Sequence, residues 1–74
     1  MVDARPAQAQ RLFRQALDVE PQNEEAGYGY GYALLLQGQD AEATTWMCRF
    51  RNSSDPEIRQ EVAGIVRSHA LQCP

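Results

Sequence analysis

Residues Ala9-Gln10-Arg11-Leu12-Phe13-Arg14-Gln15-Ala16 and Ala43-Thr44-Thr45-Trp46-Met47-Cys48-Arg49-Phe50 lie 34 positions apart in a chain of 74 residues. Ala9, Phe13 and Ala16 return as Ala43, Met47 and Phe50, and Leu12 returns as Trp46. Apolar anchors recurring in register mark a repeated supersecondary unit, and units of this length are helix–turn–helix pairs. Stacked arrays of such pairs form extended surfaces that hold other proteins.

The anchors fix the helical reading outward from these two stretches. Ala9, Leu12, Phe13, Ala16 and Leu17 form an apolar stripe at helical spacing, with Asp3 as a cap and Pro6 in the opening turn, so a first helix is predicted over 5–18. Pro21 closes it, because the residue before a proline is pushed out of helical geometry. Asn23 caps a second helix whose first turn holds Glu24 and Glu25. The alternation of Gly27, Tyr28, Gly29, Tyr30, Gly31 and Tyr32 taken alone suggests a strand. The flanking register makes it helix, ended by Gly38 as a C-terminal cap. Asp40 opens a third helix reaching about Phe50, on which Ala43, Trp46, Met47 and Phe50 share one face. After a loop at 52–55, a fourth helix is predicted over 56–71. Its start is either a capping box of Ser54 and Glu57 or a cap from Asp55 with Pro56. Ile58, Val62, Ile65, Val66 and His69 give it a one-sided apolar face, on which His69 is read as a structural, at least half-buried residue.

Composition narrows the function. The net charge is −3, from seven arginines against ten acids, with no lysine. Nucleic-acid binders carry a basic patch or stripe, which is missing here; Arg49 and Arg51 read as a solvated helix end. Arginine-only basic usage suggests GC-rich coding and a bacterial source. The longest aliphatic stretch is Ala33 to Leu36, far short of the ~20 residues of a membrane helix. Residues 1–8 hold no apolar signal core, and cytoplasmic and periplasmic placements both stay open. A chain of 74 residues buries only ~60% of its unfolded surface, so two repeats stand capped, dimeric or as part of something longer.

No constellation carries chemistry. Cys48, Cys73 and His69 cannot fill a four-ligand zinc site. Cys48 reads as a small buried hydrophobe and Cys73 as an exposed tail residue. A disulfide between them is compatible with the sequence but not decided by it. Ser53 and Ser54 read as capping residues, since no base is placed near them. Glu24 and Glu25 project to different sides of a helix and form no dyad. Trp46 is expected between helices. No catalytic residue, metal ligand or cofactor is predicted.

The chain resembles the tetratricopeptide repeat family, a resemblance covering about residues 4–56. A full copy of the family pattern reads Gly27, Tyr30, Gly31, Leu34, then Ala43, Met47, Phe50 and Pro56; a half copy before it reads Ala9, Phe13, Ala16 and Pro21. Gly27 stands where the family often has tryptophan and Phe50 where alanine is usual, one loosening the packing and the other compensating in volume. The junction near 52–54 carries one residue more than the 34-residue spacing. The resemblance implies an all-α fold of antiparallel helical hairpins with about four helices. Residues 1–74 then form one domain: 4–22 the second helix of a repeat, 23–54 one full repeat and 55–72 a capping helix.

What the resemblance implies about function is protein binding. The first helix of each pair lines the concave surface, which places Glu25, Tyr28, Tyr32 and Leu35 in the groove and Tyr30 in the core. Some members clamp a terminal carboxylate with lysine and asparagine; tyrosines fill those slots here. The expected partner is an extended, partly apolar or basic peptide, or a partner helix, within a larger bacterial assembly scaffold. The main alternative is self-association as a homodimer or exchanged-helix dimer. A small metal protein or enzyme is a remote one.

Overall fold

A computed structural model describes residues 5–73. Four helices follow one another: α1 (Pro6–Val19), α2 (Glu24–Leu36), α3 (Asp40–Arg49) and α4 (Pro56–Ser68), with a 3-10 turn at Phe50–Asn52. No strand occurs among the described residues. The all-α expectation holds, and the alternating glycines and tyrosines are helical.

The glycines of α2 explain why this helix forms despite its composition. A Cβ on Gly29 would lie 2.4 Å from the Phe13 ring of α1. One on Gly27 would lie 2.4 Å from the Phe50 ring, and one on Gly31 would lie 2.8 Å from Cβ of Trp46. Helix α2 is therefore clasped between α1 and α3 at separations only glycine permits. The packing offsets a propensity loss of ~1 kcal/mol per glycine. Ala26, Tyr30, Ala33, Leu34 and Leu35 of α2 are buried as well, as befits a helix apolar on nearly all sides. Tyr30 meets the Trp46 ring edge-on at 5.0 Å, and its hydroxyl lies 3.4 Å from both Arg14 of α1 and Glu42 of α3. Trp46 also stacks on Phe50 at 6.3 Å and carries Arg49 over its face, so it does sit between helices.

The helix ends follow local chemistry. Pro6 opens α1; the Asp3 cap expected there lies outside the described residues. Asn23 accepts from the Ala26 N–H at 3.1 Å, and Asp55 accepts from the Glu57 N–H at 2.9 Å with Pro56 at the first position. The Asp55 start is thus the one adopted. Ser54 instead donates to Glu24 at 2.9 Å, as does the buried Ser53. These two bonds join the start of α2 to the start of α4 and hold the Glu24 carboxyl below its ordinary pKa. Gly38, at φ 78°, completes a Schellman turn: Gln39 N–H reaches Leu34 O and Gly38 N–H reaches Leu35 O, each at 3.0 Å. Ala70, at φ 53°, does the same after α4, with Leu71 N–H on Val66 O at 3.0 Å.

That second turn corrects the fourth helix. It stops at Ser68 rather than 71, and His69, placed on the apolar face by periodicity, is an exposed C-cap. The chain turns back because Leu71 packs against the core beside Trp46 and Ile65. Cys73 closes the path by a disulfide to Cys48 of α3, with Cα atoms 5.5 Å apart. Cys48 is therefore a half-buried half-cystine, not a buried free thiol, and Cys73 is half-buried too. A crosslink spanning 25 residues stabilises by about 3.5 kcal/mol in the chain-entropy account.

Urea unfolding will separate these contributions. Gly31→Ala lowers stability by about 1–2 kcal/mol, because overpacking against Trp46 exceeds the propensity gain. Gly64→Ala, with nothing within 4 Å of the new Cβ, raises it by up to about 1 kcal/mol. Ala70→Gly relieves the left-handed strain and raises stability by about 1 kcal/mol. The lowered Glu24 pKa works in acid: its contribution is complete above an ordinary value of 4.5 and is lost as pH falls through the folded one. Acid unfolding of a Ser53→Ala/Ser54→Ala variant will accordingly lack that part of the pH dependence.

Candidate functional site

Tyr28 and Tyr32 stand one helical turn apart on α2 and stack side by side, ring centroids 6.3 Å apart and planes inclined by 22°. The face is left open because the helix is clasped on its other sides. Gly29 meets α1 and Gly27 and Gly31 meet α3, so the intervening tyrosines point to the remaining side. Tyr28 is half-buried and Tyr32 is 42% exposed.

A depression flanks this pair on each side. Toward α1, Pro6, Ala9 and Phe13 with Gly29 and Leu36 line an apolar hollow of about 300 Å³, with Glu25 at its border. Toward α4, Glu61, Gly64, Ile65, Ser68 and His69 line a more polar one of about 510 Å³. Both have Tyr28 and Tyr32 as a shared wall. Gly64 has no side chain and keeps the second hollow low. The whole is a ledge of two aromatic rings between an apolar basin and one containing a carboxylate and an imidazole.

Of the residues predicted for the groove, Glu25, Tyr28 and Tyr32 come together at this ledge. Leu35 does not. It is 8% exposed and belongs to the core cluster that Ile65 and Leu71 cover. Helical angle alone puts Leu35 near the tyrosine face, but it is part of the buried cluster between the helices. Its neighbour Leu36, 53% exposed, lines the α1 basin instead. The α4 wall was missed in the sequence. Its signal was present in Glu61, Gly64 and Ser68, a stripe of α4 that borders the apolar one at Ile65.

Electrostatics single out Tyr28. Burial pushes its phenol up to about 12, and Glu61 adds to the rise by accepting its hydrogen bond and repelling the phenolate. Among the described residues, no group of three His, Cys, Asp or Glu side chains could hold a metal, and no helix is long and apolar enough to cross a membrane.

Paired antiparallel helices and a glycine-clasped first helix define the class of helical-hairpin repeat proteins. The Tetratricopeptide repeat family model matches residues 3–47, more than half of the chain. The chain belongs to the tetratricopeptide repeat family, whose repeats generally mediate protein–protein interaction and are generally not catalysts. No curated protein and no solved structure matches it.

A tyrosine absorbance titration tests the coupling at the ledge. Tyr28 ionises near pH 12, and Glu61→Gln moves its midpoint down toward the ordinary 10. The sign for stability follows. Favouring the neutral phenol, the fold gains a contribution that is complete below pH 10 and is lost as pH rises through about 12.

Proposed function

We propose that this chain is a non-catalytic protein-binding module whose Tyr28–Tyr32 ledge receives an extended, partly apolar peptide with a basic residue, as a passive scaffold within a larger assembly. The observation that carries this is the stacked, accessible tyrosine pair with a basin on either side. Tyrosine offers contact area and a hydroxyl at little rotamer cost, which suits it to recognition. Glu25 at one basin and Glu61 at the other favour a cationic side chain on the ligand. A peptide lying across α2 would place an apolar side chain against Phe13 and Leu36 and a basic one near Glu61. The ledge is built on helices anchored by the core, so little of it need be ordered on binding.

The Cys48–Cys73 disulfide supports a working place in an oxidising compartment, the periplasm being the one that suits a bacterial source. Residues 55–72 serve here as the cap of the full repeat, with α4 doubling as the outer wall of the groove.

The test is a peptide library graded in basic and apolar content, read by fluorescence anisotropy. Basic–apolar peptides bind best. Tyr32→Ala weakens them at least about tenfold, the ~1.4 kcal/mol of a modest hot spot, with unchanged helicity. Binding that is indifferent to Tyr32→Ala and to Glu61→Gln would remove the ledge as the site.

A further inference from the structure

Helix α1 presents two faces. One packs inside the chain through Phe13 and the buried Leu17. The other carries Ala9, Leu12, Ala16 and Val19, at i, i+3, i+7 and i+10, the spacing of a two-heptad coiled-coil seam. Its large residues are open, Leu12 at 59% and Val19 at 85% exposure, and its alanines are half-buried at the edge of the packed face, Ala16 against the core cluster. Its positions are those that the 34-residue repeat buries elsewhere. Ala43 and Phe50, the equivalents of Ala9 and Ala16, are buried, and Trp46, the equivalent of Leu12, lies against Gly27 and Gly31 of α2. In the complete repeat, then, an antiparallel helix with small residues covers this face. Within the described residues of α1, Leu12 and Val19 have no such cover.

The seam is complementary to itself. It alternates small and large: Ala9, Leu12, Ala16, Val19. Turned antiparallel about a point level with Arg14, Ala9 falls opposite the partner's Val19 and Leu12 opposite the partner's Ala16. Every large residue thus meets an alanine, the large-on-small fit that Gly27 and Gly31 provide against Phe50 and Trp46 within the chain. The outer flank, Gln8 and Gln15, is uncharged, so no like charges oppose each other along it.

We propose that the Ala9–Leu12–Ala16–Val19 face of α1 is a self-association surface, occupied by α1 of a second copy of this chain in antiparallel register. A 14-residue helix is only ~20 Å long, so the contact falls at the small end of specific interfaces and the dimer is weak. The inference does not rest on the tyrosine ledge, which is formed by other residues except for the shared Ala9.

Sedimentation of the full chain tests it. The expected result is a mass rising from one chain to two between micromolar and millimolar concentration. Leu12→Glu holds the chain at one mass throughout, with helicity and unfolding midpoint unchanged. Register is read by cysteine crosslinking. In this arrangement Gln15→Cys lies beside the partner's Gln15→Cys and crosslinks under mild oxidation. The two copies of Gln8→Cys lie ~20 Å apart along the axis and do not. A monomer at every concentration, a dimer indifferent to Leu12→Glu, or equal crosslinking at both positions would overturn the proposal. Each of these readouts is separate from peptide binding at Tyr32.

Discussion

The fold depends on how closely α2 can be approached from two sides at once. Gly29 on one side and Gly27 and Gly31 on the other let the Phe13, Phe50 and Trp46 side chains occupy the space where a Cβ would stand. A larger residue would displace the Phe13 or Phe50 ring or, at Gly31, press on the Trp46 Cβ and force α3 outward, disturbing the cluster around Tyr30 and Leu34. The glycines weaken the isolated helix, so α2 is stable only while clasped. Its two neighbours and its helical state form together. This is the reciprocal dependence expected of repeat units that cannot bury a face alone.

The same constraint produces the tyrosine face. With glycine spent on the packed sides, the tyrosines between them are directed outward, and Tyr30, on the inner side, is directed into the core. One local alternation thus supplies both the close packing and the aromatic ledge. The walls on either side come from helices distant in sequence, and α4 reaches its place through the junction of Glu24 with Ser53 and Ser54. The ledge is written in one segment and its basins in three.

That division explains what could be read from the sequence. Helix positions, the asparagine and aspartate caps, Gly38 and the burial of Tyr30 rest on contacts within a few turns or within one repeat, and periodicity reports such contacts directly. Glu25, Tyr28 and Tyr32 were legible for the same reason. Leu35 was not, because the cluster that buries it is covered by residues distant in sequence, Ile65 and Leu71 among them. His69 was misplaced because periodicity cannot announce where a Schellman turn will interrupt it. At Ala70 the turn is formed without the glycine that usually marks one. The Cys48–Cys73 disulfide stayed open in the sequence because spacing along the chain carries no information about the 5.5 Å that separates their Cα atoms. The basins needed the packing of α1 and α4 against α2, which no single stretch encodes.

The disulfide also changes the topology of the chain. Residues 48–73 form a closed covalent ring that includes the last two residues of α3, the 3-10 turn and all of α4. A single backbone scission anywhere inside that ring, including the exposed Asn52 and Ser54 region, leaves both fragments joined through sulfur. The outer wall of the groove would stay tethered to α3 after such a nick. The chain can then carry a broken backbone without shedding a piece, and the damage becomes visible only on reduction.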